Sequence, residues 1–361
     1  MFTYPVMSGG GGITQEYLLA GLSNTMQYIA IDGVAGTANT LATLAFPNVS
    51  ARSIAADARH VLLPSNTPHF VAQFKWNGSA FVSVNDSDGG APNTFGQGML
   101  ITPYHPNKFI VPAVENFSRE LSAFSYQSAA PYSYADAGQN AMSGITNPGV
   151  IMAFRRADPG APTEGDDFVL ISDQTSSVSQ AFTYNGTTIT PGNQVSFNAA
   201  HVGHAKHGYD RDSGRIVVAS GTASAVAAVW QYNLTPRTFT SVGNATFTNN
   251  IYSLACVNGF IVTSEANGTA QYYRSYSLSG TTPTLITDLS VGTASPAGVS
   301  LLVSPYSSYV YCLNNTNTMS RVLAVSPTGV LSTVVSLSGK ADFGNGIGYA
   351  GLIVKNAFEV T

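Results

Sequence analysis

The chain has 361 residues, a formal net charge of −4, and only 9% charged side chains beside 44% hydrophobic and 11% aromatic ones. Globular proteins usually carry about 25% charged residues; here Ser, Thr, Asn, Gln and Gly fill the gap. Without a clustered basic face nucleic acid is excluded as a partner, and no apolar run reaches the roughly 20 residues of a membrane-crossing helix, so no membrane insertion is expected.

The chain opens with "MFTYPVMSGGGGITQEYLLAGLSN". Residues 1–25 are expected to form an arm: an aromatic, β-prone run, a four-glycine stretch, then a single helical turn around "TQEYLLAGL". Phe2, Tyr4 and Val6 are its candidate anchors on a neighbouring subunit. No basic region precedes an apolar core, so no export signal is expected.

Residues 26–46, "MQYIAIDGVAGTANTLATLAF", form a predicted hairpin. From there the chain repeats itself. Apolar, β-branched runs begin at Val61, Phe109, Phe168, Ile216, Phe260, Tyr309 and Leu352. Their spacing is about 45–50 residues, the scale of a supersecondary repeat, with one wider step across the insertion "ADPGAPTEGDD". Each run follows a short strand and a tight turn, as in "YSLACVNGFIV", and precedes an alternating hairpin with a turn such as "WNG", "YNG" or "SPTG". Asn and Gly at these tips supply the positive φ of hairpin turns. Four short antiparallel strands per repeat are the pattern of a propeller blade.

The expected fold is therefore all-β: a seven-bladed β-propeller over residues 26–361, a single domain, whose N- and C-terminal strands close one composite blade. Closure removes open sheet edges. In that blade the hairpin 26–46 is expected to join a pair of C-terminal strands. "VSPYSSYVYCLNNTNTMSRVLAVSPTGVL" resembles the repeat of the YVTN, lactonase-like propellers: an S-P turn, a Tyr-Val strand, an Asn-rich turn and a V-x-V strand. The resemblance implies the propeller fold and admits a hydrolase, but carries no catalytic residues onto this chain.

Ionisable groups concentrate in "HVGHAKHGYDRD", with His201, His204, Lys206, His207, Asp210 and Asp212. In a strand His201 and His207 share one face and His204 takes the other. This is not the i, i+4 pairing of a helical zinc site, and no metal is expected. "DRDSG" has the look of a calcium loop without its distal acidic ligand and reads better as a turn. Cys256 and Cys312 are isolated and read as buried thiols. No cofactor is expected.

Weak catalytic candidates are His204, Lys206 and Arg155; Tyr104, Tyr132 and Tyr134 are candidates for stacking on sugars. The neutral, turn-rich composition looks like that of bacteriophage virion proteins. It gives the expectation of a non-enzymatic tail or surface component located in the virion, with other virion proteins, copies of itself and a host glycan as partners. The alternatives are a lactonase-like hydrolase and a lectin-like propeller.

Overall fold

In the computed structural model, the described residues are 15–22, 25–45, 54–66, 69–85, 93–94, 100–101, 107–115, 118–127, 134–142, 144–145, 148–154, 167–173, 178–196, 206–210, 214–219, 224–233, 238–293, 299–304, 306–314, 319–338, 350–354 and 357–360. The strands they form run as follows. β1 (Glu16–Leu22), β2 (Thr25–Asp32) and β3 (Thr37–Ala45) lie in the first sheet. β4 (Ala55–Ala56), β5 (His60–Asn66), β6 (His69–Trp76) and β7 (Phe81–Asn85) form the second. The third holds β8 (Asn93–Thr94), β9 (Leu100–Ile101), β10 (Lys108–Glu115), β11 (Ser118–Tyr126) and β12 (Tyr134–Ala141). The fourth holds β13 (Pro148–Phe154), β14 (Asp167–Asp173), β15 (Val178–Tyr184) and β16 (Ile189–Ser196).

A fifth sheet is larger: β17 (Lys206–Asp210), β18 (Arg215–Ala219), β19 (Ser224–Asn233), β20 (Thr238–Val257), β21 (Phe260–Asn267), β22 (Ala270–Ser279) and β23 (Thr282–Thr293). β24 (Val299–Val303), β25 (Tyr309–Asn314), β26 (Arg321–Val325) and β27 (Leu331–Ser336) make the sixth, and β28 (Ala350–Val354) returns to the first. Every ladder is antiparallel between strands adjacent in the sheet.

The innermost strands touch in a closed circuit: β28 meets β4, β4 meets β9, β9 meets β13, β13 meets β17, β17 meets β20, β20 meets β24, and β24 meets β28. The chain is a β-propeller. Among the described residues, however, the expected seven separate sheets are six hydrogen-bonded ones. The cause is β20, which continues for 20 residues from the outer edge beside β19 to a place beside β21.

Ring closure also differs in detail from expectation. The closing sheet has the order β28-β1-β2-β3, so the N-terminus gives three strands and the C-terminus one. The predicted helical turn at "TQEYLLAGL" is strand β1, paired with β2 on one side and β28 on the other. Ladders on both edges, with Leu18, Leu19 and Ala20 all buried, outweigh a local helical preference in so short a segment. The last part of the supposed arm thus belongs to the propeller. Phe2, Tyr4 and Val6 lie outside the described residues.

The hairpin tips follow the sequence reading. Gly78 and Gly186 have φ of 97° and 98°, and the preceding Asn77 and Asn185 each cap the turn. Asn77 Oδ1 accepts from the N–H groups of Ser79 and Ala80, and Asn185 Oδ1 from those of Thr187 and Thr188. Between sheets the packing is apolar, with hydrogen bonds set into it. Tyr28, Trp76, Phe81 and Phe358 join the first sheet to the second. The Tyr134 hydroxyl donates to Val71 O at 3.0 Å, Tyr184 to Ala137 O at 3.0 Å, and Tyr273 to Met319 O at 3.3 Å. These three joints each pair a tyrosine hydroxyl with a backbone carbonyl of the neighbouring sheet.

Candidate functional site

Because strands alternate in direction, the first-to-second and third-to-fourth turns of a sheet share one face of the ring. On that face, inside the fifth sheet, lies a cavity of about 300 Å³. It is lined by Asp210 at the end of β17, Arg215 and Val217 from β18, Cys256 from β20, Gly259, Phe260 and Ile261 around the β20–β21 turn, and Leu278 near the end of β22.

Local sequence explains the shape. "VNGF" makes a two-residue hairpin loop, with Asn258 at φ 52° and Gly259 at φ 79°, the paired positive values of a type I′ turn. β17 approaches β20 closely because Gly208 has no side chain. A Cβ there would stand 2.6 Å from Cys256 Sγ and 2.7 Å from Leu254 Cδ1. Asp210 and Arg215 are register partners across the β17–β18 ladder, which puts both side chains on the same face. Arg215 Nη1 donates to Leu278 O at 3.2 Å, tying the guanidinium to the cavity wall.

Cys256 and Cys312 are buried free thiols, as the sequence led one to expect. Burial, and secondarily the negative charge of Asp210, pushes the Cys256 thiol up. A thiol held protonated is a poor nucleophile, so Cys256 serves as an apolar wall. The working polar groups of the cavity are a carboxylate and a guanidinium.

Of the residues singled out in the sequence, Asp210 lines this cavity. Lys206 begins β17 and Asp210 ends it, about 13 Å apart at the usual strand rise. His204, Arg155, Tyr104 and Tyr132 lie outside the described residues, as do His201 and Asp212. Tyr134 is buried at 8% exposure, with its hydroxyl bonded to Val71 O. It is an inter-sheet core residue and offers no ring to a sugar. Among the described residues, no group of three or more His, Cys, Asp or Glu side chains is placed to hold a metal.

Sequence reasoning missed Arg215 and a second polar centre. Glu265, fully buried in β21, accepts from Thr263 Oγ1 at 2.7 Å, Tyr276 Oη at 2.6 Å and Arg274 Nη1 at 2.9 Å. Arg274 also binds Asp288 at 2.9 Å and lies 4.5 Å from the centre of the Tyr272 ring. The signal was a lone carboxylate within the apolar run "FIVTSEAN", since a buried charge demands partners. Those partners engage the carboxylate fully, and the centre is structural.

No protein-family description matches the sequence, and no curated protein does. Solved structures do match in shape. A protein from Lactobacillus plantarum superposes with a TM-score of 0.65 at 15% identity, covering 94% of this chain and 99% of its own. A 6-phosphogluconolactonase candidate from Bacteroides fragilis gives 0.64 at 11% identity, covering 96% of this chain and 100% of its own. The periplasmic gluconolactonase of Pseudomonas aeruginosa gives 0.61 at 11% identity, covering 94% and 99%.

The fold is theirs. The propeller fold anticipated from the "SPYSSYVYCLNN" repeat is thereby supported, and the reading of a non-enzymatic virion component is overturned. That reading rested on composition alone, whereas the likeness over nearly the whole chain includes propellers named as lactonases.

Proposed function

We propose that the chain is a lactonase-like hydrolase that opens a cyclic ester of the gluconolactone type by adding water across its ring ester bond. The observation that carries this reading is the superposition of 94–96% of the chain on propellers named as lactonases. A propeller fold hosts many activities, so the reading is tied to the reaction itself. Opening a lactone needs a base for the attacking water and a donor for the developing oxyanion. Among the described residues the inner strands other than β20 are short and largely apolar, whereas β17 carries Lys206, His207 and Asp210.

We infer further that the ring has seven blades. β20 is read as the outer strand of one blade, with β17, β18 and β19, and as the inner strand of the next, with β21, β22 and β23. The contact circuit through β28, β4, β9, β13, β17, β20 and β24 supports that count.

The test is direct. Purified protein is mixed with δ-gluconolactone or its 6-phosphate, and acid release is followed against spontaneous hydrolysis. Turnover above background is expected with at least one of them; a rate equal to background with both sinks the reading. Substitution of His204, Lys206 and Arg155 by Ala, one at a time, reports whether any of these residues contributes.

A further inference from the structure

The cavity in the fifth sheet has a specific polarity. Asp210 and Arg215 stand side by side at the end of one ladder, and Val217, Ile261, Phe260 and Leu278 surround them. One of the five N–H donors of the guanidinium is spent on Leu278 O. A volume of about 300 Å³ falls at the small end of ligand pockets. A free carboxylate entering it would meet the charge of Asp210, and an amine would meet Arg215. The pair suits a neutral ring that presents a carbonyl acceptor together with a hydroxyl or N–H donor.

We propose that this cavity is the cyclic-ester site, with Arg215 donating to the lactone carbonyl oxygen and Asp210 serving as base for the attacking water. The proposal rests on the lactonase-like reading and assigns it a place and two catalytic residues. The water oxygen bonds to the carbonyl carbon while its proton passes to the Asp210 carboxylate. The carbonyl electrons move onto the oxygen held by Arg215. As that oxyanion reforms the carbonyl, the ring C–O bond breaks and the leaving alkoxide takes the proton back from Asp210. The product is a hydroxy acid, and Asp210 ends as it began. Once ionised, the product's carboxylate is repelled by Asp210, which favours release.

The experiment separates the site from the reaction. A δ-lactam analogue of gluconolactone, which keeps the carbonyl and does not hydrolyse under assay conditions, is titrated calorimetrically into wild type, Arg215→Gln and Asp210→Asn. In parallel, lactone turnover is measured on the same three proteins, with circular dichroism and the melting temperature establishing that each is folded. The expected result is lactam binding by wild type, weakened at least tenfold in Arg215→Gln. Turnover is expected to fall at least a hundredfold in Asp210→Asn, with lactam affinity changed by less than tenfold. Absence of lactam binding to wild type, or equal binding by Arg215→Gln, overturns the site. Wild-type turnover that both variants retain also overturns it, while leaving the lactonase-like reading intact. Lactam binding that depends on Arg215, in a protein without turnover, removes the hydrolase reading and the base role of Asp210 and keeps the cavity as a binding site. Should Arg215→Gln unfold, Arg215→Lys is titrated instead; it keeps the charge and loses the planar fork, and undiminished affinity in it counts against the site.

Discussion

The Tyr311 hydroxyl donates to Glu16 Oε2 at 2.6 Å, joining residues 295 positions apart. Ser304 Oγ donates to the other carboxylate oxygen at 2.8 Å. Glu16 is 1% exposed and Tyr311 fully buried, so this joint fastens the sixth sheet to the closing strand β1 away from water. Burial, followed by the negative charge of Glu16, pushes the Tyr311 phenol up, keeping it a donor throughout the accessible pH range. A carboxylate this deep is tolerable only with its donors in place.

Tyr311→Phe removes one of these donors and leaves the carboxylate under-satisfied. The expected cost is about 1.5–3 kcal/mol, the range for hydrogen bonds to charged groups, read from urea unfolding. The double variant Tyr311→Phe/Glu16→Leu should lose less than the two single losses combined. Strict additivity would mean the two groups do not interact.

Phe358 provides a second closure beyond β28. Its ring centre lies 5.4 Å from Tyr28 and 5.2 Å from Phe81. Its backbone N–H donates to the Tyr28 hydroxyl oxygen at 3.2 Å, and the next N–H, of Glu359, donates to Ala58 O at 2.9 Å. The tail therefore runs from the first sheet onto the β4–β5 turn. Phe358→Ala should destabilise by about 3–5 kcal/mol, as large-to-small changes at buried aromatics do. Glu359→Gln breaks an ion pair with Arg59 whose partners are 53% and 55% exposed and should scarcely move the midpoint. Equal midpoints for Phe358→Ala and wild type would show that the tail is not a closure.

What the sequence disclosed, and what it hid, divides along local and non-local lines. Asn77-Gly78 and Asn185-Gly186 specify their turns through their own side chain and φ, so the hairpins were readable. The repeat of apolar runs made the ring readable too. β1 was not, because "TQEYLLAGL" is held as a strand between β2 and β28, and β28 lies more than 300 residues away. Nor was the continuity of β20, since nothing in "VGNATFTNN" marks whether the ladder breaks there. Tyr134 looked like a platform for sugars because a tyrosine in a polar context shows no burial until its neighbour sheet is known. Arg215 gained its place in the cavity from Leu278, which belongs to another strand group.

Gly208 tests the packing that shapes the cavity. Its missing Cβ would lie 3.0 Å from the backbone nitrogen of Cys256, besides the closer Sγ and Leu254 contacts. A flexible side-chain end can yield, but a backbone atom in a paired strand yields poorly. Gly208→Ala is expected to cost about 1–3 kcal/mol, the usual penalty of overpacking. Cys256→Ala removes the Sγ contact and should recover part of that loss in the double variant. A Gly208→Ala protein as stable as wild type would place β17 farther from β20 than the close approach described.

Asp57 sets the acid limb of stability. It caps the β4–β5 turn, accepting at Oδ1 from the N–H groups of Arg59 and His60, both at 2.6 Å. Tyr126, from the third sheet, donates to Oδ2 at 2.6 Å, and His60 Nδ1 lies 3.4 Å away. Burial pushes the carboxyl up, but the bonds from His60, Tyr126 and the Arg59 backbone, with the charge of His60, together outweigh it, and the net shift is downward. Between the lowered folded value and the ordinary carboxylate value of about 3.9, the unfolded chain binds more protons than the folded one. Stability therefore rises with pH across that window. The contribution of Asp57 is complete above the ordinary value and is lost as pH falls through the folded one. Asp57→Asn should be less stable than wild type by about 1–3 kcal/mol at neutral pH, with the gap closing below about pH 4 as the wild-type carboxyl takes up its proton. The measurement is urea unfolding of both proteins from pH 7 down to pH 3. A gap that stays constant across that range would mean the Asp57 charge does not hold the second and third sheets together.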